Sequence, residues 1–200
     1  MTYPSPPKSF LQPIVHDLST SPPLTTLCAG YEVGVWRGEA LADHAIEWLP
    51  EFCLSEEELR EFHPGNAIRL IRQAARLVYQ TDKYKSRGEF GELFLHIVLR
   101  QIYHSIPAIS KIYWKDSVNN TVKGFDAVHV VESSGKLELW LGEVKFYEDV
   151  GQAITDVVTE LEKHTAIDYL KNEFMLITNK LDKQATHYQT LLQLLDQISC

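Results

Sequence analysis

Through the first half of the chain, apolar residues recur at spacings of three and four, the period of an amphipathic helix. This pattern predicts three long helices, over residues 39–49, 67–79 and about 86–103. Pro50 is expected to end the first of them. Ser55, with Glu58 three residues later, predicts a short capped helix before the second.

The first 25 residues contain six prolines, which disfavour both a helix and a central strand. We therefore expect this segment to run as an extended arm over the surface. A short apolar piece over residues 27–35 is expected to form an edge strand.

The period changes after Pro107, where short apolar runs are separated by turn residues. Three strands are predicted, over 109–114, 124–132 and 137–146. A helix over 149–169 follows, and the residues predicted to face inward are Val150, Ile154, Val157, Val158 and Leu161. The apolar run 173–179 predicts a fourth strand, and 182–198 a last helix. This order indicates an α/β (α+β-like) fold with a central mixed sheet of about four to five strands and helices on both faces.

Length and composition fit one globular domain, with 200 residues, 44% of them hydrophobic and 23% charged. We divide it into a proline-rich arm (1–25), a helical N-terminal part that is a candidate partner-binding region (26–85) and a catalytic core (86–200). No apolar run is long enough to span a bilayer, the N-terminus lacks a signal-peptide pattern, and three cysteines show no metal-site spacing. These features predict a cytoplasmic protein without membrane contact.

The segment 141–147 ends a hydrophobic run with two opposite charges. Side chains alternate along a strand, so Glu143 and Lys145 should project to one side and Val144 and Phe146 to the other. Burying such charges among apolar neighbours is costly unless they have a partner or a task. A further acid, Asp126, lies within an earlier apolar run.

These residue types suit a metal-dependent phosphodiesterase. Mg²⁺ or Mn²⁺ takes oxygen ligands, which Asp126, Glu143 and the backbone carbonyl of Val144 can supply. Lys145 can orient the attacking water or neutralise charge in the transition state. One of Glu92 and Glu89, on the preceding helix, can complete the site, although acids also simply favour the first turn of a helix.

Two further features allow two interpretations each. A basic series either contacts DNA or a partner, or is a solvated surface; it comprises Arg69, Arg72, Arg76, Lys83, Lys85 and Arg87. Gln152 either reaches the site or belongs to a helix cap with Asp149. His129 lies on the strand face opposite Asp126, and we interpret it as a packed or hydrogen-bonded residue and not a metal ligand. The net charge of -8 argues against a stand-alone nucleic-acid binder, but not against a nuclease that needs acids for its metal.

Together, the segments 87–92, 124–126 and 142–147 resemble the PD-(D/E)xK nuclease superfamily, over about residues 87–179. The resemblance implies that Asp126 and Glu143 are metal ligands, that Lys145 is catalytic and that Glu92 is the upstream helical acid. Gly124 and Phe125 stand before Asp126 where the superfamily name has a proline.

More narrowly, the same motifs resemble the HamA family, the nuclease subunits of Hachiman anti-phage systems. That resemblance implies a DNase effector held in a heterodimer by a superfamily 2-type helicase (HamB-like) and released on invading DNA. Two alternatives are a catalytically silent adaptor that regulates a helicase, and a free-standing repair or restriction nuclease.

Overall fold

The computed structural model describes residues 6–79, 88–109, 124–133, 135–180 and 188–199. In these ranges the chain is a mixed α/β protein with seven helices and three small antiparallel sheets. The strands are β1 (Gln12–Asp17), β2 (Leu24–Cys28), β3 (Tyr31–Glu32), β4 (Val35–Trp36), β5 (Ile106–Ile109), β6 (Ala127–Ser133) and β7 (Lys136–Gly142). The helices are α1 (Gly38–Cys53), α2 (Glu56–Arg60), α3 (Ala67–Tyr79), α4 (Gly88–Tyr103), α5 (Val150–His164), α6 (Ile167–Lys180) and α7 (Tyr188–Ser199). None of the described helices is long and apolar enough to cross a membrane.

Part of the N-terminal segment forms a strand pair, where its prolines predicted only an extended arm over the surface. β1 pairs antiparallel with β2, and Pro13 stands opposite Leu27 in a two-stranded ribbon. Each strand of such a ribbon has one unpaired edge, where a residue without an N–H is tolerated. The single edge strand predicted over 27–35 was wrong: β2 ends at Cys28, and Gly30, with φ +82°, turns the chain into the small β3–β4 hairpin.

Helices α1, α3 and α4 enclose the first hydrophobic core, which includes Trp48, Ala74 and Ile97. The prediction that Pro50 ends α1 was wrong, because the helix continues to Cys53. Pro50 cannot donate to the carbonyl of Ile46 one turn earlier, so the helix continues past it with one backbone hydrogen bond fewer. The capping box of Ser55 and Glu58 is confirmed.

The third sheet has the strand order β5-β6-β7 and lies between helices. On one face of its central strand, Val128 and Val130 pack in a second core with residues of α6 and α7. On the other face, the ring of His129 lies 5.2 Å from that of His96 on α4. Helices on both faces are thus confirmed for β6. The larger central sheet is not: the described residues form three antiparallel strands here, and the strand predicted over 109–114 falls almost entirely in the segment 110–123, outside them.

The strand predicted over 173–179 was wrong, since these residues belong to α6. Phe174 and Ile177 are buried, three residues apart, while Met175 and Leu176 between them are 59% and 45% exposed. That is helical spacing, which a short apolar run conceals in a sequence. The helix predicted over 149–169 likewise ends at His164, and α6 begins at Ile167.

The predicted inward face of α5 was also wrong at three positions. Val150, Ile154 and Val158 are 70%, 57% and 48% exposed. Leu161 does pack against the second core. The helix therefore turns a different side to the sheet, and that side carries polar residues described below.

A buried polar network ties α1 to α4. Arg100 donates to Glu51 through Nε (2.5 Å) and to the carbonyl oxygen of Ser105 through a terminal nitrogen (2.6 Å). His96 Nε2 lies 3.1 Å from the same Glu51 oxygen, and the Ser105 hydroxyl lies 2.8 Å from Nδ1 of His129. Burial opposes ionisation of Glu51, but the hydrogen bonds and charges of His96 and Arg100 hold its pKa below the ordinary value. His129 is thus a packed, hydrogen-bonded histidine, as predicted.

Replacing Glu51 by Gln should lower the free energy of unfolding by about 3–5 kcal/mol, because it leaves the buried Arg100 guanidinium without its counter-charge. Urea titration at pH 7 measures this. Glu47→Gln is the matched control, since Glu47 lies one turn earlier on α1 with a side chain 60% exposed. The control should change stability by less than about 0.5 kcal/mol. Equal effects of the two substitutions would contradict the assigned role of Glu51.

Candidate active site

The pairing of β6 with β7 brings the two predicted acids to the same end of the sheet. In the antiparallel register, Ala127 stands opposite Gly142. Next to this last pair, the Asp126 N–H donates to the carbonyl oxygen of Gly142 (2.7 Å). Asp126 is thus the residue just before β6, and Glu143 is the residue just after β7, so the two lie at the same end of the strand pair. One correction concerns the strand predicted over 137–146, which ends at Gly142, so that Glu143 and Lys145 lie just beyond it.

The Asp126 side chain holds the backbone that follows β7 in place. Its Oδ2 accepts a hydrogen bond from the N–H of Val144 (3.0 Å). Gly124, two residues earlier, has φ +151°, and a Cβ there would lie 2.5 Å from Oε2 of Glu173 on α6. A residue with a side chain at position 124 would be strained by this φ angle, and its Cβ would lie too close to the Glu173 carboxylate. The glycine thus allows α6 to lie close to the backbone leading into Asp126.

Glu143 and Lys145 project to one side, as the alternation predicted. Lys145 Nζ donates to Glu143 Oε1 (3.2 Å) and also pairs with the Glu160 carboxylate of α5. The side chains of Glu143, Lys145 and Glu160 are 6%, 14% and 39% exposed. One ammonium thus lies between two carboxylates in a partly desolvated setting, where their attraction is stronger than at the surface.

Val144 and Phe146 face the opposite side and pack against α4. The rings of Phe94 and Phe146 are stacked with centroids 5.9 Å apart. A Cβ at Gly91 would lie 3.1 Å from Cβ of Phe146 and 3.3 Å from Val144, so this glycine permits the close approach of helix and strand end. Glu92, the next residue, is buried.

His164, at the end of α5, supplies a further polar group. Its Nδ1 lies 3.2 Å from Glu143 Oε2. Within the part of the chain that the structure describes, neither atom has a hydrogen-bond partner, because their contact has the distance but not the alignment of a hydrogen bond. The imidazole is stacked on Tyr169, with centroids 4.4 Å apart, and meets Phe125 edge-on at 5.4 Å. These two rings hold the imidazole in place.

Burial and close contacts among charged groups shift the pKa values of Glu143, Glu160 and Lys145. Burial, the hydrogen bond with Glu160 and the charge of Asp126 together raise the pKa of Glu143 to about 8, against the effect of Lys145. Hydrogen bonds with Glu143 and Lys145 lower the pKa of Glu160. Burial opposes the charge on Lys145, but its two glutamates outweigh this and raise its pKa. Glu143 therefore holds a proton near neutral pH while Lys145 stays charged.

The donor set suits a hard divalent cation. A carboxylate that takes up a proton because of its acidic neighbours can take a cation in its place. Glu143 Oε2, which is buried and without a hydrogen-bond partner among the described residues, points to the same need. In those residues no three His, Cys, Asp or Glu side chains are already arranged around one point for a metal. Backbone, water and phosphate oxygens would therefore complete the coordination, as is usual for Mg²⁺.

The other predicted site residues are placed as follows. The N–H of Gln152 donates to Asp149 (2.8 Å), which confirms Asp149 as the helix cap. The side-chain amide of Gln152 donates to Asp156 (2.7 Å) and not back to the cap, so the reciprocal half of the predicted capping box does not form. Arg69, Arg72 and Arg76 are exposed on α3, while Lys83, Lys85 and Arg87 lie outside the described residues. Roles for Glu92 and Glu89 in a metal site stay predictions.

Sequence reasoning missed Glu160 and His164. They are four residues apart, hence on one side of α5, and that side faces Glu143 and Lys145. The sequence holds a usable signal, since two polar residues at helical spacing follow the E-x-K triplet. The valines and isoleucine of α5 concealed it, because they indicated a different buried face.

Fold and site define a mixed α/β protein with a carboxylate and lysine cluster at the end of two paired strands. The HamA family model matches residues 8–199, nearly the whole chain, and the chain therefore belongs to the HamA family. No curated protein and no solved structure matches the chain.

Substituting Asp126 should separate its charge from its hydrogen bond. In Asp126→Asn the side-chain oxygen can still accept from Val144, but the pKa of Glu143 should fall from about 8 because a neighbouring negative charge is gone. Asp126→Ala should also cost about 1–3 kcal/mol of stability through the lost acceptor. Carbon-13 NMR titration of metal-free protein and urea unfolding measure the two effects. Asp168→Asn, an exposed site on α6, is the control. An unchanged pKa in Asp126→Asn would contradict the arrangement.

Proposed function

We propose that this chain is a metal-dependent DNase of the PD-(D/E)xK type, the nuclease of a Hachiman anti-phage system. The observation that carries the proposal is the placement of Asp126 and Glu143 at one end of the β6–β7 pair with Lys145 beside them. Membership of the HamA family supports the defence role. The order of motifs, from an acid on a helix to an acid before one strand and E-x-K after the next, is that of the nuclease superfamily.

Each residue has a distinct task in this proposal. Asp126, Glu143 and the carbonyl of Val144 hold Mg²⁺ or Mn²⁺. When bound, such an ion polarises the scissile phosphate and favours an attacking hydroxide. Lys145 is charged, so it neutralises negative charge that develops on the phosphate and does not act as a base. Glu160 keeps the ammonium directed to the Glu143 side.

DNA affinity and control would come from a partner. The exposed arginines Arg69, Arg72 and Arg76 on α3 offer one basic surface, but the chain as a whole carries a net charge of -8. Strong binding to DNA needs many phosphate contacts by Lys and Arg. We therefore propose a heterodimer with a superfamily 2-type, HamB-like helicase that brings the nuclease to DNA and restrains it until invading DNA is met.

Removing either charge of the E-x-K pair should abolish DNA degradation. We expect Glu143→Gln and Lys145→Ala each to lower the cleavage rate by at least about 100-fold, since the first removes a proposed metal ligand and the second a positive charge that acts at the phosphate. The matched controls are Glu132→Gln and Lys136→Ala, two exposed charges on the same strand pair, which should cleave normally. The assay is plasmid degradation with Mg²⁺, Mn²⁺ or chelator, with and without the helicase from the same system.

The outcomes separate the three interpretations. Cleavage at the normal rate by both Glu143→Gln and Lys145→Ala would contradict the proposal. Failure of the chain and of the complex to cut DNA with either metal would favour a silent adaptor that regulates the helicase. Tight DNA binding and cleavage by the chain alone would favour a free-standing nuclease.

A further inference from the structure

We propose that His164 is a metal ligand of this site, giving the cation a nitrogen donor in addition to carboxylate oxygens. The inference rests on the proposed function, because it concerns the same cation. It starts from two atoms, Glu143 Oε2 and His164 Nδ1, which face each other at 3.2 Å, and each is buried without a hydrogen-bond partner among the described residues.

Burying two such atoms is unfavourable unless a further group binds both of them. An unpaired polar atom in a protein interior typically costs about 1–3 kcal/mol. The Glu143 side chain is only 6% exposed, so bulk solvent has little access to it. Glu143 Oε1 already accepts from Lys145, which leaves Oε2 to a different partner. In this proposal Glu143 would use Oε1 for Lys145 and Oε2 for the cation.

The spacing of the two atoms suits neighbouring positions around one ion. Two ligands at right angles, each about 2.1 Å from a metal, are about 3.0 Å apart. The observed 3.2 Å is close to that value. Asp126, the Val144 carbonyl, water and phosphate oxygens would fill the other positions, although no third His, Cys, Asp or Glu side chain among the described residues already converges on that point.

The surroundings of His164 hold its ring in the orientation that a ligand needs. Stacking on Tyr169 and the edge contact with Phe125 restrict the ring to one plane. Phe125 directly precedes Asp126, so the segment that carries one proposed ligand also positions another. A ligand held in place by packing loses little freedom when the ion binds.

A nitrogen ligand has a consequence for metal choice. Imidazole suits transition metals, whereas Mg²⁺ prefers oxygen donors and retains water. We therefore expect the site to bind Mn²⁺ more tightly than Mg²⁺, and we expect this preference to depend on His164.

The direct test is pulsed electron paramagnetic resonance of the full chain loaded with Mn²⁺ and without DNA. Wild-type protein should show nitrogen-14 modulation from a directly coordinated imidazole. His164→Gln and His164→Phe should both lose it, and Mn²⁺ affinity should fall at least about tenfold with a smaller change for Mg²⁺. His164→Phe retains an aromatic ring to stack on Tyr169, so it separates ligation from packing. His63→Gln, an exposed histidine, is the control.

Two results would overturn the inference: no nitrogen modulation in the wild type, or modulation and Mn²⁺ affinity unchanged in both His164 variants. If the contact is only an ion pair between a protonated His164 and Glu143, the wild type will show no nitrogen modulation. Because the measurement uses no DNA, it is independent of cleavage. Nitrogen ligation in a protein that cuts no DNA would support the metal site and contradict the proposed function. Cleavage of DNA without nitrogen ligation would support the proposed function and contradict His164 as a ligand.

Discussion

The antiparallel register of β6 and β7 is the constraint on which the site depends. With Ala127 opposite Gly142, the residues just beyond this pair, Asp126 and Glu143, must meet at one end of the sheet. A slip of one residue would turn one of the acids to the other face. The hydrogen bonds of the Asp126 N–H to Gly142 and of Val144 to the Asp126 carboxylate continue the pairing past the strand ends. Backbone pairing thus places Asp126 beside Glu143, whose pKa is raised by burial, by the hydrogen bond with Glu160 and by the charge of Asp126.

Helix α4 joins this strand pair to the N-terminal helices. Leu93 and Ile97 belong to the first hydrophobic core, Gly91 lies against Val144, and Arg100 is bonded to Glu51 of α1. A buried ion pair contributes little net stability, yet breaking it is costly, so it favours one arrangement of the two helices. Movement of the N-terminal helices would therefore alter the contacts between α4 and the strand end that carries the site.

Sequence reasoning succeeded where one local rule decides the structure. The alternation of Glu143 and Lys145 against Val144 and Phe146, the Ser55 cap and the arginine stripe of α3 all depend on period or spacing alone. It failed where packing between distant segments decides. The run 173–179 is helical because Phe174 and Ile177 meet the second core, and α5 turns Glu160 and His164 to the sheet instead of its valines. For α5 the sequence carries two competing local signals, the apolar residues and the polar pair Glu160 and His164, and only the contacts with distant residues decide between them.

The central claim is that Glu143 and its neighbours bind a divalent cation. The most direct measurement is an anomalous difference map, at the manganese absorption edge, from crystals of the protein grown with Mn²⁺. The account predicts one strong peak about 2.0–2.3 Å from Glu143 Oε2, on the side that faces His164. A map with no peak there, or with peaks only on remote surface acids while Lys145 stays paired with Glu143 and Glu160, would contradict it.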